Sequence, residues 1–122
     1  MADDTTSYGF LCGADMEPGK IRRHPATSDS RFAGIGWVAR AALADRDLPL
    51  PDVEEIWGVV VTLPEGIVGS RVVPVTLRIG EVVSAVVLTD AASFGDRDAV
   101  VAEAYYWELP RSWREALAAA FA

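Results

Sequence analysis

The hydrophobic pattern along this chain changes period once, and the change divides strands from helices. Tyr8 to Cys12 is an apolar run that predicts a buried first strand. Glu17-Pro18-Gly19 interrupts the next segment and argues against a long helix there. Phe32, Ile35, Trp37 and Val38 open a second apolar region, and Gly34 and Gly36 within it favour a bulged strand over a helix. Residues 45–53 read as a loop with two prolines. Glu55 to Leu63 is the clearest central strand, with Ile56, Trp57, Val59, Val60, Val61 and Leu63 nearly continuous, as expected where both faces are buried. From Arg71 to Ile79 the chain alternates, with Val73, Val75, Leu77 and Ile79 on one face, and Pro74 marks an edge or a bulge. Gly80-Glu81 fits a two-residue hairpin turn, and Val82 to Leu88 returns as the partner strand.

Beyond residue 95 the period becomes helical. Asp96 is placed to cap a helix carrying Val100, Val101, Ala104 and Tyr105. Pro110 suits the first position of a last helix, where Trp113, Leu117 and Phe121 recur every four residues. Strands first and helices last predict an α+β domain on a mostly antiparallel, barrel-like sheet. Residues 1–7 are polar and predict a flexible N-terminus ahead of a single domain over 8–122.

Composition narrows the function classes. With 122 residues, 51% hydrophobic and 24% charged, the chain is in the globular range. Its net charge of −7 and lack of a basic face argue against nucleic acid and anionic membranes as partners. Lys20, Arg22, Arg23 and His24 form one positive cluster, which reads as a solvated turn before it reads as an anion site. A lone cysteine and a lone histidine exclude an internal disulfide and the common zinc sets, and no glycine-rich phosphate motif is present, so no cofactor is expected. Asp15 and Glu17 lack the loop spacing of a calcium site. No apolar run is long enough to span a bilayer, and the acidic start differs from a signal peptide, which points to a cytoplasmic protein.

Three places could carry chemistry. The first strand runs into Cys12, Gly13, Ala14, Asp15 and Met16, where small residues leave backbone N–H groups uncovered. Several amide dipoles aimed at one point can hold a carboxylate or an oxyanion, although an ordinary turn has the same letters. Glu65, between Pro64 and Gly66, is a candidate general base if an apolar barrel mouth raises its pKa, and otherwise a solvent-facing turn residue. Tyr105 and Tyr106 lie on the first C-terminal helix beside Trp107; at least one is expected to pack on the sheet, and the other could offer its hydroxyl to a ligand. Cys12 with His24 could form a thiolate dyad, but a cysteine within an apolar strand reads first as a core residue.

The order of these segments resembles the γ-glutamylcyclotransferase-like superfamily, over residues 8–121. Cys12-Gly13-Ala14-Asp15-Met16 stands at the family's Tyr-Gly-Ser-Asn/Leu loop, and Ile56-Trp57-Gly58-Val59-Val60 at its Trp-Gly-Val strand. Glu65-Gly66 stands at its Glu-Gly pair, residues 71–88 at its hairpin, and Glu108-Leu109-Pro110-Arg111-Ser112-Trp113 at its closing Leu-Pro step. The resemblance implies a barrel of about six strands with a ligand cavity at its mouth. It implies cyclisation of a γ-glutamyl amine or amino acid to 5-oxoproline. The amides of residues 12–16 would then hold the glutamyl head, Glu65 would act as acid/base, and Tyr105 or Tyr106 would close the pocket. Cys12 replaces the loop tyrosine, Ala14-Asp15 replaces Ser-Asn, and Ser70 stands where an aromatic residue is expected. Only Thr62-Leu63-Pro64 bridges the strand to Glu65, where the family inserts a helical segment. The alternative implied is a non-catalytic binding or interaction domain, such as the accessory domains beside amidase-type hydrolases. The apolar last helix, ending Leu117-Ala118-Ala119-Ala120-Phe121-Ala122, would then dock on a partner subunit or a second copy.

Overall fold

A computed structural model describes residues 7–23, 31–46, 48, 50–51, 53–63, 72–88 and 94–120. Five strands form a closed barrel: β1 (Ser7–Leu11), β2 (Phe32–Ala39), β3 (Glu55–Leu63), β4 (Val72–Leu77) and β5 (Val82–Val87), in the spatial order β1-β3-β2-β4-β5. Among the described residues this is one strand fewer than the resemblance implied. Four pairings are antiparallel, and the barrel closes through a parallel β1–β5 seam, with Tyr8 opposite Ala85 and Phe10 opposite Val87. The continuous apolar run of β3 has the expected cause. It pairs with β1 and β2, one face fills the barrel, and α3 (Arg111–Ala120) packs across it.

The bulge foreseen in β2 falls between Phe32 and Gly34. Pro74 also sits where a missing donor costs least. β4 pairs with β2 only through Thr76 and Leu77, so the ladder on that side ends before the proline. The hairpin differs from the expected two-residue turn. The Leu77 N–H donates to the Glu81 carbonyl at 2.7 Å, leaving a three-residue loop, Arg78-Ile79-Gly80, with Gly80 at φ 98°. Ile79, assigned by alternation to the buried face, therefore lies in the loop and is 81% exposed. Local turn geometry ended the strand two residues early.

Gly58 in β3 allows a close approach. A Cβ there would overlap the Leu11 carbonyl oxygen and lie 2.8 Å from the Phe10 ring. The end of β1 is thereby set directly against β3, and the backbone leaves the barrel at a fixed point.

Two helices follow the barrel. The Asp96 carboxylate accepts from the Ala99 N–H at 3.1 Å and caps α2 (Arg97–Tyr106), as expected. Its C-terminus is a Schellman turn: Leu109 N–H donates to the Ala104 carbonyl and Glu108 N–H to that of Tyr105. Buried Leu109 supplies the usual apolar contact of that motif. The residue in the left-handed conformation is Glu108, at φ 53°, where glycine is favoured. Replacing Glu108 with glycine is expected to stabilise the fold by about 1 kcal/mol, by relieving the Cβ–carbonyl crowding of that conformation. A thermal melt should show a rise of roughly 3–5 °C. Pro110 precedes α3 instead of opening it, and its carbonyl accepts from the Trp113 and Arg114 N–H groups. Trp113 and Leu117 point into the core; Phe121 lies outside the described residues. Among the described residues no helix is long and apolar enough to cross a membrane.

Candidate functional site

Where β1 ends, Cys12 is still extended and Gly13 takes φ 69°. That reversal is open to glycine at no steric cost, and it turns Gly13–Met16 into one 3-10 turn laid back over the barrel. Gly13, Ala14 and Met16 are buried and Asp15 is half-buried. The five residues singled out from sequence are thus one compact feature. The first residues of any such turn present N–H groups that have no partner within the turn.

A short helix, α1 (Pro18–Arg23), follows immediately. Its N-terminal N–H groups on Gly19 and Lys20 donate to the Glu17 carboxylate at 2.8 and 3.1 Å. The Gly19 hydrogen bond is the largest cause holding the Glu17 pKa below its ordinary value. Arg23 adds an ion pair at 3.6 Å. Lys20, Arg22 and Arg23 are exposed, in keeping with a solvated cluster; His24 lies outside the described residues. Cys12 is fully buried, as a core thiol would be.

Helix α2 packs against this turn. The Trp107 indole N–H donates to the Met16 carbonyl at 2.9 Å and ties the two elements together. One helical turn earlier, the Oε1 atom of Glu103 is buried with no hydrogen-bond partner among the described residues. Burial raises its pKa, the nearby Glu17 charge raises it further, and Lys20 opposes both. Two carboxylates beside one turn are therefore pushed in opposite directions, the arrangement that separates a proton donor from a charge. Glu103 sits on the shoulder of the buried Val100–Ala104 face. The sequence signal was present in that spacing, but an acidic residue there reads first as solvated.

The shift of Glu103 carries a sign. A raised carboxyl pKa means the folded chain holds this proton more tightly than the unfolded one. That stabilisation is fully present below the ordinary value of 4.5 and is lost as pH rises through the folded value. Glu103→Gln is expected to flatten this part of the profile and to melt higher than wild type at neutral pH. Melts of both proteins from about pH 4 to 8 check it.

The two tyrosines separate, and neither packs away on the sheet as one was expected to: both end α2 on its exposed side. The Arg114 guanidinium lies over Tyr105, 4.7 Å from the centroid of its ring. Tyr106 meets Trp107 edge-on at 5.3 Å, and Trp107 stacks on Phe32 at 5.1 Å. These rings wall a cleft of about 490 Å³, together with Ile35, Leu77 and Ile79. The Arg78 guanidinium donates to the Glu108 carbonyl at 2.8 Å at its rim. Glu65 lies outside the described residues. Leu63, the last described residue before it, pairs with Ser7, at the opposite end of β1 from Cys12.

No family model matches the chain, and no curated protein does. A solved structure described as a γ-glutamyl cyclotransferase does match, with a TM-score of 0.65 over 93% of this chain and 87% of that one, at 14% sequence identity. The chain has that fold.

Proposed function

We propose that this protein, built on the fold of a γ-glutamyl cyclotransferase, cyclises a γ-glutamyl compound to 5-oxoproline. The observation that carries the reading is the Gly13–Met16 turn, formed in that fold directly at the end of β1 and fixed there by Trp107. In the reaction the α-amine nitrogen bonds to the γ-carbonyl carbon, and the bond from that carbon to the leaving amine breaks. The proton lost by the attacking nitrogen ends on the amine released, so no water or cofactor is consumed. The turn amides bind the glutamyl carboxylate, the Asp15 carboxylate accepts a hydrogen bond from the neutral α-amine, and Glu65 takes the proton from that nitrogen as it attacks and passes it to the leaving nitrogen. Holding both reacting groups in one geometry supplies much of the rate, because a five-membered ring closes quickly once its ends are aligned.

The test is release of 5-oxoproline from a panel of γ-glutamyl amines and γ-glutamyl amino acids. Product from any member supports the reading, and none from all of them ends it. A second reading, a non-catalytic ligand-binding or interaction domain of the same fold, is favoured by the register of β3. Its last residue, Leu63, lies at the end of β1 remote from the turn, about 16 Å along the strand from Cys12. Binding of those compounds without turnover, followed by calorimetry, identifies that case.

A further inference from the structure

Six large apolar side chains are exposed among the described residues, and three of them, Phe32, Ile79 and Tyr106, line one cleft beside Trp107. Scattered apolar residues on a surface are ordinary, whereas several converging on one concavity mark a binding site. The cleft has the volume of a small-molecule site. Its wall is an aromatic platform, with Phe32 and Trp107 stacked at an interplanar angle of 20° and Tyr106 set nearly perpendicular to Trp107.

Trp107 belongs to both the cleft and the turn, since its ring lines one and its N–H holds the Met16 carbonyl of the other. Trp107 thus joins the cleft to the turn on which a glutamyl head would sit. We propose that this cleft receives the leaving amine, and that the amine is aromatic. The proposal rests on the cyclisation reading above and names its substrate class: γ-glutamyl amides of aryl or arylalkyl amines.

The lining is otherwise mostly apolar: among the described residues Arg78 is the one basic residue there, and it donates to the Glu108 backbone carbonyl. A neutral ring loses only unfavourable contact with water.

The experiment compares γ-glutamyl-phenethylamide, γ-glutamyl-ethylamide and γ-glutamylphenylalanine by kcat/KM for 5-oxoproline release. The phenethylamide and γ-glutamylphenylalanine are both expected to lead the ethylamide by about tenfold or more, the usual scale for burying a ring in an apolar pocket. Ile79→Asp, at the cleft, should erase most of that preference. Val82→Asp, at another exposed apolar site away from the cleft, should keep it. Equal use of the two amides overturns the cleft assignment and leaves cyclisation standing. If no compound is turned over, the cyclisation reading fails, and the cleft is judged by binding alone. N-phenethylacetamide at millimolar concentration should then shift the Trp107 indole N–H resonance, identified by its loss in Trp107→Phe. An unmoved resonance overturns the cleft as an aromatic site.

Discussion

Gly58→Ala is expected to cost about 3 kcal/mol, at the upper end for overpacking a core, and to lower the melting temperature by roughly 10 °C. A flexible side chain in the way would move aside for a fraction of that. Here the obstructing atom is the Leu11 carbonyl oxygen, part of the backbone of β1. Leu11 is held in register opposite Val59, so the strand cannot retreat without giving up the ladder. The Phe10 ring crowds the same space, which permits a discriminating double variant. Adding Phe10→Leu to Gly58→Ala should recover little, because it removes the ring and leaves the oxygen. Near-complete recovery would show that the ring, and not the strand, sets the limit. The loss should also reach the turn, because Cys12 follows Leu11 directly. Denaturant titrations of both variants, with exchange of the Gly13–Met16 amides, read stability and site together.

The second large effect concerns the proposed reaction. Glu65→Gln should lower 5-oxoproline release by about 10²–10⁴-fold, the range seen when a positioned acid/base is removed. The amide is nearly isosteric but neither takes nor delivers a proton at neutral pH. The loss should appear in kcat, with KM little changed, since the role assigned to Glu65 is proton transfer and not retention of the ground state. Melting temperature should be unchanged, which separates lost chemistry from lost folding. A variant as active as wild type removes Glu65 from the reaction.

Much of the barrel could be read from the chain because strand periodicity is short and robust. The run from Ile56 to Leu63, the bulge at Gly34 and the Asp96 cap each rest on local chemistry that tertiary contacts reinforce. Ile79 shows where such reading stops. It continued the alternation faultlessly, yet the Leu77–Glu81 hydrogen bond closed the hairpin first. The turn at residues 12–16 was also legible, since Gly13 after an apolar strand is a backbone signal. Its surroundings were not. Trp107 meets Met16 across most of the chain, and no spacing rule links a helix C-terminus to a strand end so far away. The opposite pKa shifts of Glu17 and Glu103 likewise arise from packing that brings α2 onto the turn.

The parallel seam between β1 and β5 has a consequence for how the molecule is made. Tyr8 and Ala85 meet only after most of the chain has been synthesised, and closing so long a loop costs entropy before any pairing repays it. Until then β1 has one edge unpaired, a strand rich in apolar side chains and open to pairing with another chain. Sealing the barrel is therefore expected to be the slow step of folding, on the millisecond-to-second scale of proteins dominated by distant contacts. The same strand carries the turn at its tip, so the candidate site takes its final shape when the seam closes.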